Sequence, residues 1–260
     1  MTSDAASGPT PPPGPDAALV SAAAMVFVPD PAAPILTQGD AHHLLDVLRL
    51  RPGESVAVGD GAGSWCPCRV APGAVERGVR RLDLASVLVP DGPLSLQPRP
   101  APPITVAFAP TKGDRPEWVV QKLTELGVDR IVPIRTARSV VRWEGERGGR
   151  AVAKLARVAR EAAAQCRRTW LSEVDQVATL DHLASLTGSD PVLARPGGAP
   201  PTLARTVVAI GPEGGWDPAE EARFGQGVGL GPTVLRAETA AVAAGTLLCG
   251  LRAGLIGPLA

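Results

Sequence analysis

No apolar run in the 260-residue chain approaches the roughly 20 residues a membrane-spanning helix needs; the nearest, Ala240–Leu251, is followed at once by Arg252. A membrane span is therefore excluded. The first 24 residues lack both a basic start and an apolar stretch of about 7–15 residues, so they do not read as a secretory signal, and the compartment expected is the cytoplasm. Cysteine is scarce. Cys66, Cys68, Cys166 and Cys249 form one close pair and two isolated residues, without the repeated Cys-x2–4-Cys or His spacing of a structural zinc site. No metal is expected. No G-x-G-x-x-G and no Gly-x4-Gly-Lys-Ser/Thr occurs, so neither a Rossmann dinucleotide site nor a nucleotide P-loop is supported. Tyrosine is absent and aromatic residues make up 3% of the chain, against 45% hydrophobic.

Charge of either sign is also missing from the total, because 26 Lys and Arg balance 26 Asp and Glu. The distribution is uneven. Between Lys112 and Arg168 lie 14 basic and seven acidic residues, a local excess of +7. Polyanion binding depends on local charge density more than on the sum, so this stretch suits a phosphate-bearing partner, while a solvated Arg-rich helix face would give the same count.

Glycine and proline are abundant, with 29 and 28 residues, yet periodic apolar segments run through most of the chain. Residues 1–24, rich in Pro, Ala, Ser and Gly, read as a disordered tail. From Met25, short β-like runs follow at Met25–Val28, Ser55–Val58, Trp65–Val70 and Leu82–Val89, separated by Pro-Gly and Gly-Asp-Gly turns. A helix over His42–Leu50, with Asp40 as its N-cap, interrupts them. The proline-dense stretch Pro90–Pro103 marks a boundary. Beyond it the pattern becomes strand, loop, helix: Ile104–Ala109, Asp114–Leu126, Arg130–Ile134, a long helix over Arg150–Arg167, strands at Pro191–Ala194, Thr206–Ile210 and Gly227–Leu230, and a terminal helix over Glu238–Ala253. Such alternation predicts an α/β fold with a largely parallel sheet.

Ligands of such sheets bind where strands end and loops begin. Three loops stand out: Arg195-Pro196-Gly197-Gly198; Gly211-Pro212-Glu213-Gly214-Gly215-Trp216; and Gly231 through Ala240. Asp217-Pro218-Ala219-Glu220 then opens a helix as N-cap, N1 proline and capping-box carboxylate. Glu213 would repel a phosphate, so the second loop suits a ligand with donor edges or positive charge, such as an adenine, a ribose or a sulfonium. Taken singly, Arg236 and Glu238 read equally well as a helix-entry arrangement favoured by the macrodipole.

In combination these segments resemble the RsmE family of SPOUT-class methyltransferases, which modify N3 of a uridine in small-subunit rRNA. The resemblance rests on Gly211-Pro212-Glu213-Gly214-Gly215-Trp216 and Leu230-Gly231-Pro232-Thr233-Val234-Leu235-Arg236-Ala237-Glu238-Thr239-Ala240. Collinear upstream segments join them: His42-His43-Leu44 through Arg51, Lys112-Gly113-Asp114-Arg115, Gln121 through Gly127, Arg138-Ser139-Val140, and Glu161 through Cys166 with Arg168. Together they span about Met25 to Gly254. The resemblance implies a PUA-like RNA-binding β-barrel over residues 25–98 and a SPOUT-type, trefoil-knotted parallel-sheet domain over 99–260. It also implies S-adenosyl-L-methionine as cofactor, 16S rRNA within the small ribosomal subunit as partner, and a homodimer with no membrane attachment. An Arg usual near the first strand of the family has no counterpart beside Met25.

Carried onto this chain, the cofactor residues would be Leu193, Ala194, Arg195, Pro196, Gly211, Pro212, Gly214, Gly215, Leu230, Val234, Leu235, Ala237 and Thr239. Because N3 of uracil bears a proton, the chemistry asks for a base and for a cation that stabilises the anionic ring. Arg236 is the candidate cation, and Glu238 or Glu213 the candidate base. RNA phosphates would be met by Arg49, Arg51, Lys112, Arg115, Lys122, Arg138, Arg142, Arg167 and Arg168, with Trp118 and Trp143 available to stack. Two other readings keep the same loops: a knotted methyltransferase acting on a ribose 2′-hydroxyl or on tRNA, and a non-catalytic RNA-binding assembly factor.

Overall fold

The computed structural model describes residues 16–74, 83–225 and 227–257. The chain divides into two compact units, one formed by Pro15–Pro100 with Ala159–Ser172, the other by Ala101–Val158 with the chain from Glu173 onward. Residues 159–172 thus group with the N-terminal segment, across the boundary that the proline-rich stretch suggests.

In the N-terminal unit, α1 (Ala17–Ser21) precedes β1 (Ala24–Phe27). The expected tail is therefore structured from Ala17 onward; its first 15 residues lie outside the described part. Asp16 accepts from the Ala18 amide at 2.9 Å and starts the turn, and Leu19, 1% exposed, anchors it among Met25, Phe27, Ala57 and Trp65. The sheet runs β1, β2 (Ser55–Gly59), β3 (Ser64–Val70), β4 (Leu88–Pro90), with β5 (Ser95–Leu96) also paired to β3. β1 and β2 are parallel and the remaining pairs antiparallel. β5 falls inside the stretch expected to be linker, and of the expected strand over residues 82–89 only its end, from Leu88, is realised among the described residues.

The expected helix over 42–50 begins earlier and changes type. α2 (Gln38–His42) is capped by Thr37, whose hydroxyl accepts from the Asp40 amide at 3.1 Å while Asp40 reaches back to the Thr37 amide. Asp40 is thus the third residue of a capping box, not the cap itself. A π-helical turn, His43–Val47, follows directly, and Arg49 leaves it with φ at 56°. Cys66 and Cys68 are buried on β3; burial first, then the neighbouring Cys66, pushes the Cys68 thiol up to about 12.

The second unit is built on five parallel strands in the order β8 (Glu173–Val174), β7 (Arg130–Pro133), β6 (Thr105–Phe108), β10 (Val207–Ile210), β9 (Val192–Ala199). β6, β7 and β10 are almost wholly apolar and buried, the pattern of strands covered on both faces. Their connections are α3 (Arg115–Leu126), α4 (Gly145–Gln165), α5 (Leu180–Thr187), α6 (Pro218–Phe224) and α7 (Ala237–Arg252). The capping box expected at Asp217 and Glu220 is present. α3 packs on α7, where Gly245 permits the approach: a Cβ there would stand 2.8 Å from Leu123 Cδ2.

One expected loop is a strand. Residues 195–198 continue β9 to Ala199 instead of leaving the sheet, because Val228 returns to pair in parallel with Ala194 and Ala199. Backbone meets backbone so closely here that a Cβ at Gly198 would lie 2.4 Å from the Val228 carbonyl carbon. Gly198→Ala is therefore expected to destabilise the protein by about 1–3 kcal/mol through forced backbone movement, read as a lower urea midpoint at unchanged slope.

Candidate functional site

A cavity of about 430 Å³ opens at the carboxyl end of β10 and beside the middle of β9; strand ends of this kind are where parallel sheets hold ligands. Its walls come from Ala194, Arg195 and Pro196 of β9, from Ile210 and the loop after β10, from Glu221 of α6, and from the segment between Leu230 and Ala240 that enters α7. The lining is mostly apolar.

The loop after β10 is folded back by its own residues. Gly215, at φ 70°, closes a turn by donating to the Pro212 carbonyl at 2.9 Å. The buried Trp216 lies beneath it and donates from Nε1 to the Ala194 carbonyl at 2.9 Å, joining the loop to β9. Gly211 leaves room for that indole, since a Cβ there would approach its Cε2 to 3.0 Å. Arg138 donates to the Gly214 carbonyl at 3.0 Å from outside, and Glu220 of the capping box accepts from the Ala137 amide at 2.9 Å.

Of the cofactor residues proposed from sequence, ten line the cavity: Ala194, Arg195, Pro196, Gly211, Pro212, Gly215, Leu230, Val234, Leu235 and Ala237. Leu193 is buried in the core beneath, Gly214 faces Arg138, and Thr239 lies in the first turn of α7 outside the lining. Arg236 and Glu213 line the cavity, whereas Glu238 does not. Its side chain, 15% exposed, is paired with Arg115 at 3.6 Å. Arg115 also stands 3.8 Å from Glu213, which is 55% exposed. Ile210, Trp216, Glu221, Gly231, Thr233 and Ala240 complete the walls without having been named as cofactor residues. Trp216, Gly231, Thr233 and Ala240 belong to the loops that the sequence marks out, and Ile210 adjoins the glycine loop, whereas Glu221 of α6 carries no such signal.

The basic candidates separate by unit. In the second, Lys112 and Arg142 are exposed, Lys122 is paired with Glu125 at 2.8 Å, and Arg115 and Arg138 are engaged as described. In the N-terminal unit, Arg49 and Arg51 are exposed, while Arg168 donates to Ser172 Oγ at 2.9 Å. Arg167, at φ 61°, donates to the carbonyls of Ala22, Ala23, Ala164 and Gln165. Burial pulls its guanidinium pKa down. These bonds hold the start of β1 to the end of α4, so the residue expected to meet RNA instead closes a structural joint. The stacking candidate Trp118 is 44% exposed.

The cavity volume falls within the range of small-molecule sites. Apolar walls suit a flat heterocycle, and Glu213 on the rim favours a cationic centre over a phosphate. The residues present therefore fit a nucleoside carrying a sulfonium.

Residues 97–249 match the model of an RNA methyltransferase domain, and residues 36–73 that of an RNA methyltransferase PUA domain. The ribosomal RNA small subunit methyltransferase E of Mycobacterium bovis is 33% identical, over 85% of this chain and 89% of its own length. The chain belongs to this methyltransferase family. The Bacillus subtilis protein of the same name is 28% identical over 79% of this chain and 85% of its own. The Neisseria gonorrhoeae ribosomal RNA small subunit methyltransferase E, whose crystal structure is bound to S-adenosyl methionine, superposes with a TM-score of 0.69 at 25% identity, covering 88% of this chain and 97% of that one. Every residue lining the cavity lies inside the matched methyltransferase segment. The fold is that of the SPOUT-type members, with the PUA domain at the N-terminal side. No helix among the described residues is long and apolar enough to cross a membrane.

Proposed function

We propose that this protein is an S-adenosylmethionine-dependent methyltransferase that methylates N3 of a specific uridine in 16S rRNA, acting on the small ribosomal subunit in the cytoplasm. One observation carries the reading: the glycine loop after β10 and the segment entering α7 converge on a single cavity that includes both Arg236 and Glu213. In this reading residues 25–98 hold RNA, residues 99–260 bind the methyl donor and catalyse, and the return of Val228 beside β9 supports a trefoil knot. Exposed Val140, Val234 and Leu255, at 68%, 84% and 81%, support a homodimer.

Bound in the cavity, S-adenosylmethionine supplies an activated methyl group for in-line displacement. Ala194, Gly211, Leu230 and Leu235 would hold the nucleoside against apolar walls and main-chain groups, and Glu213 would face the cationic end. What the chain itself must do is prepare the acceptor. Uracil N3 becomes nucleophilic only when its proton leaves. Glu213, which lines the cavity, is better placed to accept that proton than Glu238, which lies outside the lining; Arg115 stands beside both. Arg236 precedes α7 as its N-cap without a side-chain capping bond, so its guanidinium is available to the negative charge that develops on a uracil carbonyl. Arg49, Arg51, Lys112 and Arg142 are exposed and available to RNA phosphates.

The test is methyl transfer from labelled donor to small subunits purified from cells lacking this protein, followed by nuclease digestion and mass spectrometry of the nucleosides. N3-methyluridine is the expected product. A 2′-O-methyl nucleoside, or incorporation into tRNA alone, would replace the assignment. Donor binding without transfer to any RNA would favour an assembly factor.

A further inference from the structure

The sheet reverses its winding between β6 and β10: from β6 the chain proceeds outward through β7 and β8, then crosses to the other edge as β9 and returns inward as β10. Two loops leave neighbouring strands at this switch point, one from β6 leading to Arg115 and one from β10 carrying Glu213. The Arg115 side chain presents a different nitrogen to each of two carboxylates, Nη1 to Glu213 Oε1 at 3.8 Å and Nε to Glu238 Oε1 at 3.6 Å. Glu213 belongs to the cavity wall, and Glu238 to the first turn of α7, two residues after Arg236. Glu238 Oε2 is buried and has no hydrogen-bond partner among the described residues.

The geometry points to Arg115 as a positioning residue of the methyl-donor site, and not a phosphate contact. Its planar guanidinium bridges the glycine loop to the entry of α7, so that the two walls of the cavity keep one spacing and the proposed acid–base and cationic groups keep one orientation. Electrostatics requires such a bridge. Two carboxylates that face one place repel, and Arg115 supplies the positive charge that stands within ion-pair distance of both. A guanidinium can serve both partners from separate edges, whereas an ammonium is a single point charge.

This inference rests on the proposed function for the identity of the ligand. Its test uses calorimetry with S-adenosylmethionine on the full chain in the absence of RNA. Arg115→Ala is expected to weaken donor binding by about tenfold, as loss of a half-buried bridge would. Arg115→Lys should recover part of that loss, and KM for small subunits should change less than donor affinity. Unchanged donor affinity with a raised KM for small subunits would overturn the proposal and return Arg115 to the RNA surface. Since Arg115→Ala leaves Glu238 uncompensated and can fail to fold, Arg115→Ala/Glu238→Gln removes both charges together. Persistently weak donor binding in this folded double variant supports positioning through Glu213. Full recovery overturns it, showing that Arg115 only neutralises Glu238. If the unaltered protein binds no S-adenosylmethionine, the functional assignment fails; if it binds and only the variants behave otherwise, the bridge alone fails.

Discussion

Arg236→Ala is expected to lower turnover by about 10²–10³-fold, the usual effect of removing one donor aimed at developing negative charge. Donor affinity should change far less. Arg236 lines the cavity, yet as N-cap of α7 its side chain makes no capping hydrogen bond, so truncation removes a charge without unpicking the helix. Steady-state kinetics on small subunits, paired with calorimetry on the donor, separates the two effects. A mutation that lowers kcat with donor affinity preserved has removed an interaction made in the transition state. Equal losses in both measurements would mean that the arginine serves the cofactor. Arg236→Lys should remain well below the unaltered enzyme, because a point charge does not reproduce the planar donor fork.

The largest effect on stability is expected at the far end of the same helix. Asp129 and Arg252 form an ion pair with side chains only 5% and 10% exposed. Asp129 also accepts from the Ile104 amide at 2.9 Å, and Arg252 donates to the carbonyls of Gly127 and Pro102 at 2.7 and 3.2 Å. These bonds fasten the end of α7 to the chain entering β6 and β7. Asp129→Ala strands a buried guanidinium and is expected to cost about 3–5 kcal/mol. Arg252→Met alone strands the carboxylate and should cost a similar amount. The double variant should lose much less than the sum, since neither charge is then uncompensated. Urea unfolding followed by tryptophan fluorescence measures all three. Additive losses would show that the two residues act separately.

Much of the site was legible before any coordinate. The glycines of the loop after β10, the proline and carboxylates that open α6, and the apolar strands feeding the loops are local features, and short-range physics dictates them. Asp217 caps the helix it was expected to cap because its partner Glu220 is three residues away. Elsewhere local rules favoured the wrong answer. Asp40 is a competent cap, but Thr37 takes that role and Asp40 completes the box from within. Residues 195–198 carry a proline and two glycines, yet they extend a strand, because Val228, thirty positions later, supplies the pairing. Residues 17–21 read as part of a tail too poor in apolar area to order, yet they form α1, because Leu19 is buried beside Trp65.

The charged residues divide along the same line. Sequence determined that Glu213, Arg236 and Glu238 lie on or beside the loops that close the cavity, because residue type and chain position suffice for that. Tertiary structure alone decided their employment: Glu213 on the wall, Glu238 turned onto Arg115, Arg167 given to its own main chain. A guanidinium binds whichever acceptor the fold brings within reach, and reach is set by contacts between residues distant along the chain.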